Sequence, residues 1–141
     1  MKRGLLFVIV ALIAGPALGC GYCIEDKIAA AYDHAAVTQT LARGHDVAFV
    51  AYEVRAPHEV RAPRGRHDEA AIRGAIESIA GVDRGSVRVA AASESLSVAF
   101  DPKRLSPGKF LAALDRKLAP LGVEPTLLRF GNPAAPASTP R

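Results

Sequence analysis

Hydrophobic positions along this chain switch between a helical and a strand rhythm, and glycine or proline stands at most of the switches. Residues 24 to about 43 contain neither, and Ile24, Ile28, Ala31, Tyr32 and Ala35 recur at helical spacing. That predicts an N-terminal helix closed by Gly44, with Glu25 and Asp26 in a first turn where the macrodipole favours negative charge. From Asp46 to Val54 the residues Val47, Phe49, Val50, Tyr52 and Val54 predict a strand instead. The chain then loses both rhythms. Glu53-Val54-Arg55-Ala56-Pro57 is repeated after His58 as Glu59-Val60-Arg61-Ala62-Pro63, and these prolines with Gly65 predict a loop over 55–67.

Asp68 stands where it can cap a helix whose Ile72, Ile76 and Ile79 recur at steps of four and three, and Gly81 stops it. Val87 and Val89 open a second strand, Ser93-Glu94 fits a turn, and Leu96, Val98 and Phe100 alternate with Ser95, Ser97 and Ala99 in a third. After Asp101-Pro102, Ser106 is a candidate N-cap with Pro107 at the first helical position, and Leu105 and Phe110 occupy the two positions of a hydrophobic staple. Leu111, Leu114, Leu118 and Leu121 carry the apolar face on to Gly122, with Pro120 fraying the last turn. Val123 to Phe130 predicts a closing strand that Pro125 assigns to a sheet edge. Residues 131–141, with three prolines and no apolar period, predict a disordered tail.

The expected order is therefore one helix followed by β-α-β-β-α-β. That run predicts an α+β fold, a ferredoxin-like βαββαβ sandwich with an antiparallel sheet, both helices on one face, and an extra N-terminal helix. The boundaries read as a leader over 1–19, a cysteine-bearing helix over 20–44, the domain over 46–130 and the tail over 131–141.

Composition narrows the setting. A chain of 141 residues, half hydrophobic and 23% charged, bounds one modest core rather than two. The formal charge of +4 includes Lys2 and Arg3; without them 16 of the 18 basic residues face 14 acidic ones, too even a balance to argue for nucleic acid. Lys2 and Arg3, the apolar run Leu5 to Ala14, the breakers Gly15 and Pro16, and small residues at Ala17 and Gly19 have the layout of a secretory signal peptide cut before Cys20. An apolar run of about 10 residues is short of the roughly 20 that span a bilayer, so no membrane span is expected. The Ala, Arg, Gly and Pro richness is compatible with export to a bacterial periplasm. A cysteine at a new N-terminus is also what lipoprotein processing acylates, but Ala17 stands where lipoproteins usually place leucine, which favours a soluble protein over a lipid anchor at Cys20.

The only thiols are Cys20 and Cys23, three apart at the entrance to the first helix. That spacing turns both sulfurs toward one metal ion or toward each other. One reading is a soft-metal site in which both thiolates, with the amine of Cys20 or a histidine, hold Cu(I) or Zn(II). Another is thiol–disulfide exchange, although thioredoxin-like enzymes place such a motif after a central strand. A third is a structural disulfide on a domain that binds a protein. His34 is a further candidate ligand, but eleven residues of continuous helix, roughly 16 Å of rise, separate it from Cys23. His58 and His67 flank a loop rich in arginine and could form a two-histidine copper or zinc site, or simply face solvent. No pairing of carboxylates suggests acid–base catalysis.

The run Ile72, Ile76, Ile79, Gly81-Val82, then Val87 and Val89, then Leu96, Val98, Phe100-Asp101-Pro102 and the Ser106-Pro107 helix resembles the heavy-metal-associated domain of copper chaperones and metal-transporting ATPases. The resemblance covers about residues 46 to 130. It implies a ferredoxin-like fold and, in the family, a pair of cysteines in the loop after the first strand. Counting back from Gly81-Val82, those positions fall on Gly65 and Asp68, neither of which is a soft ligand. The resemblance therefore implies the fold without the usual loop site. The expectation is a non-enzymatic binder of copper or zinc through Cys20 and Cys23. The alternatives are a protein-interaction module of the same type without metal, whose partner is an exported protein, and a thiol–disulfide redox protein.

Overall fold

The computed structural model describes residues 23–55 and 69–131. Eight main elements follow one another: α1 (Ile24–Ala31), α2 (His34–Ala42), β1 (Asp46–Val54), α3 (Glu69–Glu77), β2 (Arg88–Ala90), β3 (Ser95–Phe100), α4 (Pro107–Leu118) and β4 (Val123–Phe130). The strands form one antiparallel sheet in the order β2-β3-β1-β4. This is an α+β fold, compatible with the βαββαβ arrangement, and β4 with Pro125 lies at an edge as expected. The leader, Cys20, the duplicated loop with Gly65, the Asp68 cap and all of the tail after Gly131 lie outside the described residues.

Both faces of the sheet are covered. On one, Ala48, Val50 and Tyr52 of β1 and Leu96, Val98 and Phe100 of β3 pack against Ile72 and Ile76 of α3 and Phe110, Leu114 and Leu118 of α4. Phe100 and Phe110 stack with ring centroids 4.7 Å apart. On the other face, Val47 and Phe49 meet Ile28 and Ala31 of α1 and Val37 of α2. The register slips between Phe49 and Val50, an irregularity that turns two consecutive β4 residues toward the α1–α2 side. There Leu128 joins the second core and Arg129 reaches Glu25 of α1. Every residue of β3 is buried, including Ser95, Ser97 and Ala99, because these small side chains lie beneath the N-terminal helices rather than in water.

The single N-terminal helix expected over residues 24–43 is instead two. The chain leaves helical geometry at Tyr32 (φ −81°, ψ 129°), and Asp33 begins a new helix by accepting a hydrogen bond from Ala36 N–H at 2.8 Å. Aspartate is a strong N-cap, and breaking the helix lets both segments follow the twisted sheet. Gly44 closes α2 as expected: at φ +74° it donates to Leu41 O while His45 N–H donates to Thr40 O, so two terminal carbonyls are satisfied. Ser106 precedes α4 with Pro107 in the first turn, but its side chain makes no capping bond.

Gly81 and Ser95 give two tests. Gly81 has φ +100°, and a β-carbon there would stand 2.7 Å from Leu105 Cβ. Gly81→Ala is expected to lower the unfolding free energy by about 2–4 kcal/mol in urea denaturation, and an unchanged midpoint would show that the turn relaxes freely. Ser95 Oγ is buried with no hydrogen-bond partner among the described residues. Ser95→Ala is expected to raise stability by about 1 kcal/mol, whereas a loss would mean the hydroxyl is satisfied.

Candidate functional site

Cys23 sits at the N-cap of α1, its carbonyl accepting from Asp26 N–H at 3.0 Å and Lys27 N–H at 3.2 Å. Its thiol is exposed and takes no part in capping. Two contacts fix where this helix start lies. Lys27 Nζ donates to the carbonyl of Ser93 at 3.1 Å, in the connection between β2 and β3. One turn on, Ser97 Oγ donates to the carbonyl of Ala31 at 2.8 Å. Helix α1 therefore runs in the direction of β3 and begins at the end of the sheet that holds the β2–β3 connection.

The same end gathers the other chain segments of interest. Tyr52 N–H donates to Glu94 O at 2.9 Å, which sets the last turn of β1 beside the connection. Glu94 turns the chain there with a left-handed backbone, φ 49°. The carboxylate of Glu69, at the start of α3, acts on the Tyr52 phenol together with that of Glu94. Segment 56–68 thus leaves from Arg55 and returns at Glu69 at the end of the sheet where α1 begins. Arg55 is itself ion-paired to Glu124 of β4.

The predicted ligands are unevenly placed. His34 is the first residue of α2, exposed, with Nδ1 3.1 Å from Tyr32 Oη. The break at Tyr32 removes the continuous helix on which its relation to Cys23 was expected to rest. Cys20, His58 and His67 lie outside the described residues. Among the described residues no three or more His, Cys, Asp or Glu side chains come together as a metal site. No helix among them is long and apolar enough to cross a membrane.

A polar cluster at the opposite end of the sheet escaped the sequence reading. His45 Nδ1 lies 2.8 Å and 3.1 Å from the two carboxylate oxygens of Asp83, and Arg43 stands 3.9 Å from the nearer one. The cluster ties the turn before β1 to the loop after α3. The nearby Ser86 hydroxyl is engaged by the backbone, donating to Asp83 O at 2.6 Å and accepting from Ala99 N–H at 3.1 Å, so it has no free role as a nucleophile. Partners 38 residues apart leave no local pattern. The one available signal was a lone histidine directly after a helix-ending glycine. A second such pair, Arg88 with Asp33 at 2.8 Å, joins β2 to the cap of α2.

No protein-family model, curated protein or solved structure matches the chain.

Tyr52 supplies a pH test of this end of the molecule. Burial first, then the charges of Glu69 and Glu94, raises its phenol above the ordinary value of 10.0. The folded chain then holds this proton more tightly than the unfolded chain. The associated stability is complete below pH 10 and is lost as the pH rises through the folded-state value. Tyr52→Phe, which cannot ionise, is expected to begin alkaline unfolding at a higher pH than the wild type. Coincident unfolding curves would clear Tyr52 of any part in it.

Proposed function

We propose that this protein is an exported, non-enzymatic metal binder that holds a soft or borderline ion, Cu(I) or Zn(II), through Cys20 and Cys23. The domain that carries the pair is, in this reading, a ferredoxin-like relative of the heavy-metal-associated type. Strand order β2-β3-β1-β4 with α3 and α4 on one face supports that topology.

The observation that carries the metal reading is the position of Cys23. Its sulfur is exposed at the start of α1, at the end of the sheet where the segment bearing His58 and His67 departs and returns. Two thiolates three residues apart can take a soft ion, and the Cys20 amine or one of those histidines can complete the donor set for zinc. A metal dithiolate carries negative charge, which the N-terminus of a helix favours. Glu25 and Asp26 oppose it, although Glu25 is drawn toward Arg129 at 3.5 Å. The family's loop positions remain without thiolates, so the ion is held from the N-terminal side of the sheet.

The test begins with the intact mass of the exported protein, which reports a cut before Cys20 and any acylation. Competition titration of the reduced protein with Cu(I) is then expected to give sub-micromolar binding that both Cys20→Ser and Cys23→Ser abolish. Absence of binding by the wild type removes the metal reading. Turnover in an insulin-reduction assay would move the pair to redox chemistry.

A further inference from the structure

We propose that the groove between α4 and the segment 78–80 that follows α3 is a docking site for an acidic, amphipathic segment of a partner protein. The groove encloses about 450 Å³. Its floor is apolar, made by exposed Ala112 and by the outer edges of Ile79, Leu105 and Ala113, which are otherwise buried in the core. Its rim carries Lys109, Arg116 and Lys117, and no carboxylate lines it. None of these three cations forms an ion pair among the described residues, while Arg43, Arg55, Arg88 and Arg129 all do. Arg73, Arg84, Lys103 and Arg104 are likewise without an ion pair among the described residues, but Lys109, Arg116 and Lys117 are the three that share one depression.

Helix energetics single out Lys109. Basic residues in the last turn, such as Arg116 and Lys117, suit the macrodipole of α4. Lys109 lies in the first turn, where the macrodipole disfavours a positive charge and where no acidic residue or side-chain cap compensates it. The helix would be more stable without this charge, and no carboxylate among the described residues pairs with it. An anionic group approaching Lys109 would relieve the conflict and meet the unpaired rim beyond it.

The shape selects a peptide over other anions. A concave site of this volume holds one or two large apolar side chains flanked by carboxylates. Insertion into lipid needs protruding apolar side chains, and the exposed large ones among the described residues, Ile24 and Leu121, do not line the groove. Three cations make a weak footprint for nucleic acid.

The experiment is selection from a dodecapeptide library randomised in acidic and apolar residues against the protein as isolated from the expressing cell. Enriched sequences are expected to pair carboxylates with Leu, Ile or Phe and to lose about tenfold in affinity at high salt. Arg116→Glu/Lys117→Glu is expected to weaken them by tenfold or more. Lys109→Glu is expected to do the same while melting no lower than the wild type, because it reverses the unfavourable charge on the dipole, so its loss of binding cannot come from unfolding. The Cys20→Ser and Cys23→Ser variants are expected to bind these peptides as the wild type does, which separates this surface from the metal reading. Enrichment of sequences without carboxylates, failure to enrich any, or undiminished binding by the charge reversals would overturn the proposal. So would tighter binding through the same residues to vesicles of phosphatidylcholine and phosphatidylglycerol.

Discussion

Strand β1 is buried on both sides, and the rest of the architecture depends on that. Val47 and Phe49 turn one way and Ala48, Val50 and Tyr52 the other, and each set needs its own layer of helix. Phe49 is fully buried, and covering such a side chain is worth roughly 1.5–3 kcal/mol. Without α1 and α2 that contribution would become a cost, an aromatic ring and a valine exposed at the middle of the sheet. A strand with two apolar faces also belongs at the centre, which is why β3 and β4 flank it and the three-residue β2 takes an edge.

The elements that follow a single local rule were legible in the sequence. The isoleucines of α3 and the leucines of α4 face one core, and Leu96, Val98 and Phe100 do the same from β3. What escaped depends on distant neighbours. Ser95, Ser97 and Ala99 read as the outer side of a strand, yet they are small because Ala31 and its helix lie directly above, close enough for Ser97 to bond the Ala31 carbonyl. The division of α1 from α2 turned on Asp33, whose capping role was written in its type but was masked by an unbroken helical rhythm. His45 with Asp83 had no local signature at all. Of the candidate site, Cys23 as a helix start was readable. Which end of the sheet it would occupy was not, since that is decided by Lys27 and Ser93, 66 residues apart.

The layering also sorts the chemistry. The exposed thiol belongs to the α1–α2 layer, and the three cations of the groove belong to α4 in the opposite layer. A four-stranded sheet with two closed cores stands between them. Occupation of one region therefore has no direct electrostatic or steric path to the other, and the two proposed binding surfaces are independent in mechanism.

The order of the elements has a bearing on how the protein reaches this state. Helices α1 and α2, eight and nine residues long, are made before the sheet they cover. Segments of that length rarely hold helical form in water by themselves. The layer they build has to wait for β3, which carries Ser97, and for Leu128 of β4, near the end of the chain. Helices α1 and α2 are thus among the last described elements to acquire their final surroundings, and until then Ile28, Ala31 and Val37 stay accessible to whatever escorts a nascent chain.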